Sequence, residues 1–130
     1  MVDNNKTSNY DLPGFINKNV SASKAELEKN AMKVYVLGEG EKVINQYPKE
    51  NNKLYRGSVV VLLTDKYDKK MPSLIGLSYK DATNILKLMG VKYSLEGNGY
   101  VVSQSVPEGI IVNNETGVAL KLENSYSLGS

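Results

Sequence analysis

Apolar residues in this chain follow two periods, one helical and one extended, and the pair of periods is written twice. Ala82, Ile85, Leu86 and Met89 recur at i, i+3, i+4 and i+7, the spacing of one face of an α-helix. Ser78 stands ahead of them as an N-cap, with Asp81 three residues on as a short-armed capping box. Gly90 ends the helix, because glycine accepts positive φ at a helix C-terminus without steric cost. Val91, Tyr93 and Leu95 then alternate with polar residues, which predicts a strand with one buried face. Gly97-Asn98-Gly99 follows, and Asn-Gly favours a tight hairpin turn, so the next strand, through Val101 and Val102 to Gln104, is expected to fold back on the first. A polar loop with Pro107 leads to a last strand through Val118, Leu120 and Leu122, expected to close a small sheet against the helix.

The first half carries the same phrase in a looser hand. Asn19, Ser21 and Ser23 are N-cap candidates, and Val20, Leu27 and Ala31 mark a buried face. Ser23 and Glu26 stand where the second copy has Ala82 and Ile85, so this helix is expected to be the weaker or more exposed of the two. Asn17 and Asn30 sit near the positions of Gly76 and Gly90, and Asn tolerates the left-handed region better than most residues. Met32, Val34 and Val36 predict the first strand, Glu39-Gly40 a poorer turn, and Val43-Ile44 through Gln46 the return strand before Pro48. An offset of 59 links Pro13 with Pro72, Leu27 with Leu86, Gly38 with Gly97 and Gly40 with Gly99, and a loop with Pro48 or Pro107 follows the return strand in each copy. The same offset links Val59, Val61 and Leu63 with Val118, Leu120 and Leu122, while Gln46 and Gln104 lie 58 apart. A one-residue deletion offset by a later insertion accounts for that slip, and the whole reads as a tandem duplication.

The predicted fold class is therefore α+β, with two small domains, each one α-helix packed on a three-stranded β-sheet. Residues 12–65 form the first domain and 71–123 the second. Residues 66–70 (KYDKK) make a charged linker, and residues 1–11 and 124–130 are polar tails expected to fray. A domain of about 60 residues is marginal for an independent core.

Composition then narrows the chemistry. The chain has no Cys and no His, which removes disulfides, thiolate nucleophiles, the commonest general base and the commonest metal ligand. The net charge is +2, with eight Lys/Arg against six Asp/Glu in residues 12–65 and four against five in 71–123. Such a balance makes no field that attracts nucleic acid or an anionic membrane. The longest aliphatic run, Val59–Leu63, is far short of the roughly 20 residues of a membrane helix, and the polar N-terminus has no apolar signal core. The expectation is a piece of a larger protein, with no membrane contact of its own.

Several short motifs invite chemistry. Ser21-Ala22-Ser23-Lys24 matches S-x-x-K, the nucleophile motif of penicillin-binding active sites, but its companion motifs are missing beyond an echo in Lys6-Thr7-Ser8. It reads instead as a helix N-terminus, where Ser is favoured. The Gly-x-Gly pairs lack the third glycine and the following helix of a dinucleotide loop. Carboxylates show no paired acid–base arrangement, and Asn113–Glu115 lacks the spacing of a calcium loop. Asn5-Lys6-Thr7, Asn19-Val20-Ser21 and Asn114-Glu115-Thr116 match glycosylation sequons only as sequence. No catalytic, cofactor-binding or metal-ligating residue is assigned and no cofactor is expected. Nine tyrosines remain, and Tyr47, Tyr55, Arg56 and Tyr79 are the candidates for stacking on, or hydrogen bonding to, a ligand or partner.

The second copy, through Pro72, Gly76, Ala82, Leu86, Gly90, Gly97, Gly99, Val102, Gln104, Pro107 and Gly109, resembles a PASTA domain. The first keeps Pro13, Leu27, Gly38, Gly40, Val43, Gln46 and Pro48 and departs at Asn17, Ser23 and Asn51. The resemblance implies an extracellular module of a Gram-positive bacterium, carried by a class B penicillin-binding protein or a transmembrane Ser/Thr kinase. A pair with Gly-Asn-Gly and Val-Ser-Gln-Ser looks more like the tail of a division-type penicillin-binding protein. It implies a non-catalytic role at the septum, with the protein's own transpeptidase domain or division proteins as partners. Uncrosslinked peptidoglycan stem peptides and β-lactams are the implied alternative ligands.

Overall fold

In the computed structural model, residues 9–124 are described; the fraying expected of residues 1–8 and 125–130 lies outside them. The chain divides between Tyr67 and Asp68 into two units. The first unit holds β1 (Tyr10–Asp11), α1 (Val20–Lys29), β2 (Lys33–Leu37), β3 (Val43–Tyr47), β4 (Lys53–Leu54) and β5 (Val59–Thr64). The second holds α2 (Tyr79–Met89), β6 (Tyr93–Gly97), β7 (Tyr100–Gln104) and β8 (Val118–Glu123). Each unit has one helix and a three-stranded sheet, as the two periods predict.

Both helices form from local signals. Asn19 caps α1 by accepting the Ala22 N–H at 2.8 Å, and Ser78 caps α2 by accepting the Asp81 N–H at 3.2 Å. Of the three candidates in the first copy, Asn19 is thus the cap, and Ser21 and Ser23 lie inside the helix. Helix α2 buries Ala82, Thr83, Ile85, Leu86 and Met89, whereas α1 buries only Val20, Ser23 and Leu27. Ser23 tolerates burial because its hydroxyl donates to the Asn19 carbonyl at 2.7 Å. Ala31 is exposed and does not extend the buried face. It adopts φ +66°, the place that Gly90 takes at φ +76° in the second unit. The left-handed residue after α1 is therefore Ala31 and not Asn30, which stays at φ −98° as the cap. Asn17 (φ +73°) does hold the place of Gly76, and Asn51 (φ +73°) that of Gly109.

The sheets correct the hairpin expectation. Their orders are β2-β5-β3 and β6-β8-β7, so the strands on either side of Gly-x-Gly never pair with each other. The last strand of each unit is central, parallel to the first and antiparallel to the second. Gly97-Asn98-Gly99 carries the chain over the C-terminal end of β8. A Cβ on Gly97 would run into the Leu122 carbonyl oxygen, and one on Gly99 into that of Glu123. The Asn-Gly signal misleads because a type I′ turn needs positive φ at both central residues, and Asn98 does not have it. Here the glycines serve close backbone approach.

Pairing also corrects the repeat register. Gln46 faces Leu62 and Gln104 faces Leu120, while Lys33 faces Val59 and Tyr93 faces Val118. Val60 and Leu62 therefore match Val118 and Leu120 at an offset of 58. Val60 and Leu62 lie in the first core with Leu12, Phe15, Val20, Leu27, Met32 and Val43. One residue is lost between Gly38 and Glu41, since the Glu41 and Gly99 carbonyls accept the equivalent N–H groups of Val20 and Tyr79; no later insertion restores it, and Pro48 is equivalent to Val106 and not to Pro107. Because β5 reads Val-Val-Val-Leu-Leu, apolar on both faces, its phase is invisible in the sequence, and a shift by one exchanges the faces.

Two further strands were not anticipated. Tyr10 and Asp11, placed in the N-terminal tail by composition, pair antiparallel with Leu54 and Lys53. The equivalent contact in the second unit is a single bridge, Lys70 to Ile111.

Candidate functional site

The most distinctive polar group shared by the repeats is used to hold the fold. Gln46 is 1% exposed; its Oε1 accepts the Phe15 N–H, and its Nε2 donates to the carbonyls of Pro13 and Pro48 at 3.1 and 3.0 Å. Gln104 repeats the arrangement with the Leu74 N–H and the carbonyls of Pro72 and Val106. A primary amide is the side chain that supplies one acceptor and two donors at a single point. Each Gln thus pins the segment before the helix to the loop after the second strand. These residues are not available to a ligand.

The short motifs weighed in the sequence take up ordinary structural positions. Ser21 and Lys24 are exposed on α1, and Lys24 faces Glu28 at 4.0 Å. Asn113 Oδ1 accepts the N–H groups of Glu115 and Thr116, an Asx turn that satisfies its own backbone. Among the described residues, no cluster of three acidic side chains is arranged to hold a metal.

The four candidate contact residues do not converge. Tyr47 ends β3, half-buried, with a cis bond to Pro48. Tyr55 is 58% exposed in the turn after β4, where its carbonyl accepts the Ser58 N–H, and exposed Arg56 is next in the chain. Tyr79 belongs to the second unit, 51% exposed at the first residue of α2. Its backbone N–H donates to the Gly99 carbonyl at 2.9 Å, which sets it beside the exposed Tyr100, a neighbour the sequence did not reveal.

Of the four, Arg56 lines an open hollow of about 340 Å³ in the first unit. Its floor is Tyr10, Met32 and Leu54, and its rim carries Asn9, Lys29, Asn30 and Arg56 beside Ala31. Strands β1 and β4 bring Tyr10 and Leu54 together, and the end of α1 supplies the remainder. The Tyr10 hydroxyl lies 3.5 Å from Glu26 Oε2, and burial first, then that carboxylate, pushes the phenol above its usual pKa of 10.0. Sequence reasoning missed Tyr10, Lys29 and the amides because the pairing of β1 with β4, which assembles the site, left only two-residue strands in the chain.

The family model described as PASTA domain matches residues 10–66 and 69–124. Penicillin-binding protein 2X from Streptococcus thermophilus is similar in structure over 88% of the chain, with a TM-score of 0.74 at 20% identity; the chain covers 17% of that protein. A three-PASTA-domain structure of a Ser/Thr kinase from Staphylococcus aureus matches 85% of the chain at 24% identity and a TM-score of 0.39, the chain covering 64% of it. The entire extracellular region of the Ser/Thr kinase PrkC from Staphylococcus aureus matches 87% at 25% identity and a TM-score of 0.35, with 46% of that chain covered. The chain thus spans less than two thirds of each of these structures. No curated protein matches it.

Proposed function

This chain belongs to the PASTA domain family, as two domains in tandem, and we propose that the pair is an extracellular docking module of a penicillin-binding protein acting in septal peptidoglycan synthesis. PASTA domains are non-catalytic modules, so the work of the pair is contact. The observation that carries the reading is the apolar surface of the second unit: Ile110 and Ile111 are 53% and 57% exposed, and Ile75, Tyr79 and Tyr100 are exposed as well. Side chains of this kind stabilise an interface when a partner removes them from water, by about 25 cal/mol per Å². The likeness to penicillin-binding protein 2X supports the parent class, and the partner is that protein's own transpeptidase domain or a division protein.

The test is a photo-crosslinking amino acid at Ile111 or Tyr79 in the full-length parent. An adduct to the transpeptidase domain or to a division protein is expected. Absence of any adduct, with normal septal wall synthesis in an Ile111→Asp strain, would overturn the docking role.

The cavity in the first unit favours a second reading, a binding module for uncrosslinked muropeptide or β-lactam, since small-ligand sites are concave with an apolar lining and a few polar groups. Titration of the pair with a stem-peptide muropeptide and with a β-lactam, followed by NMR, separates it from pure docking. The family also allows a receptor-kinase sensor as the parent. The catalytic domain encoded with the pair, transpeptidase or kinase, decides that point.

A further inference from the structure

The duplication supplies an internal control for the cavity beside Arg56. By the corrected register, Tyr10, Ala31, Leu54 and Arg56 of the first unit correspond to Lys69, Gly90, Val112 and Asn114 of the second. In the second unit Lys69 uses that space itself: its Nζ lies 3.5 Å from the Gly90 carbonyl and 3.4 Å from Asn114 Oδ1. In the first unit Tyr10 replaces Lys69 and sends its hydroxyl to Glu26. The space is left open, and positive charge moves to the rim as Arg56 and Lys29.

We propose that this hollow is a binding site, peculiar to the first unit, for a small ligand with a free carboxylate and a short aliphatic body. Among the described residues, neither Lys29 nor Arg56 has an ion-pair partner, and none of the lining side chains is acidic. Glu26 stands just outside, engaged with Tyr10. The end of α1 would ordinarily disfavour an anion. Here the carbonyls of Glu26, Leu27, Glu28 and Ala31 already accept N–H groups, the last from Gly57 at 2.7 Å, so the negative end is blunted. Arg presents a planar fork matched to carboxylate oxygens, Asn9 and the second N–H of the Asn30 amide, whose first donates to the Glu26 carbonyl, add donors, and Met32 and Leu54 take the aliphatic part. A volume near the lower end of the ligand-site range suits a dipeptide-sized molecule. The proposal deepens the ligand-module reading and rests on it.

The experiment is an NMR titration of the ¹⁵N-labelled full chain with N-acetyl-alanyl-alanine, its C-terminal amide and succinate, each to about 20 mM, a range that detects millimolar binding. Shifts are expected at Ala31, Met32, Leu54 and Arg56 and not at Gly90, Val91, Val112 and Asn114. The amide should bind at least about tenfold more weakly than the acid. Stronger binding of the peptide acid than of succinate assigns a peptide C-terminus as the source, and the reverse assigns a free organic acid; both support the site. Tyr10→Lys, which installs the residue of the second unit, should abolish the response. Exposed Arg56→Gln, which keeps the fold, should weaken binding at least about tenfold. Equal response in both units, equal binding of acid and amide, or no shifts would overturn the proposal. A muropeptide that shifts other residues would overturn it while leaving the ligand-module reading intact.

Discussion

Replacing Gln46 by Leu removes three hydrogen bonds from a site that is 1% exposed. At a net 0.5–1.5 kcal/mol each, the loss is about 1.5–4.5 kcal/mol, with the Phe15 N–H left buried and unpaired at the upper end of that range. Leu recovers part of this as apolar burial, and the expected loss is about 3 kcal/mol. A unit of about 60 residues has only about 3–9 kcal/mol to lose. Urea unfolding followed by circular dichroism measures the change. Two-dimensional NMR of the same samples assigns it, since signals of the first unit should disappear first. Gln46→Glu adds a pH signature. Protonated, the carboxyl keeps an acceptor and one donor. Ionised, it has no donor and faces the carbonyls of Pro13 and Pro48, so its native pKa lies above the unfolded value of about 4.3. A group with a raised native pKa contributes stability below its unfolded pKa and loses it as pH rises through the native one. The Glu variant should therefore approach the wild type at pH about 4 and fall well below it at pH about 7. A Leu variant within about 0.5 kcal/mol of wild type, a change typical of neutral surface sites, or a Glu variant insensitive to pH, would refute the clamp.

Three other perturbations follow from the same geometry. Ala31→Gly relieves an alanine at φ +66° and should stabilise the first unit by about 0.5–1 kcal/mol in urea unfolding, allowing for the greater freedom of glycine in the unfolded chain. Gly99→Ala sets a Cβ against the Glu123 carbonyl at φ +103°, and a loss of more than about 2 kcal/mol is expected, read as a drop in melting temperature. Tyr10 has a raised pKa from burial and Glu26, so its contribution is intact below pH about 10 and disappears as pH climbs through the higher native value. Tyr10→Phe should accordingly make the alkaline fall in stability shallower, measured by unfolding midpoints across that range.

Local sequence determined the helices, the strands of the two three-stranded sheets and their duplication, but not β1 and β4. The i, i+3, i+4, i+7 stripe of α2, its Ser78 cap and its Gly90 stop are contacts within a few residues of one another, so they can be read without knowing the fold. The period-two strands, the family pattern and the lack of Cys and His are legible in the chain itself. What the chain could not state is which partner each segment finds. Asn98-Gly99 predicts a hairpin, yet the strands beside it both pair with β8, a choice made by the burial of a central strand between two neighbours. The phase of β5 is silent in five consecutive aliphatic residues, and only its pairing with Gln46 and Lys33 reveals which face is core. The hollow beside Arg56 is the furthest from view. It exists because Tyr10 and Leu54, 44 positions apart, meet beside the end of α1, and because a lysine that fills the same space in the second unit is a tyrosine in the first. Sequence spacing decides what a segment can become; the enclosure of space between distant segments, and so the site, is decided only when they pack.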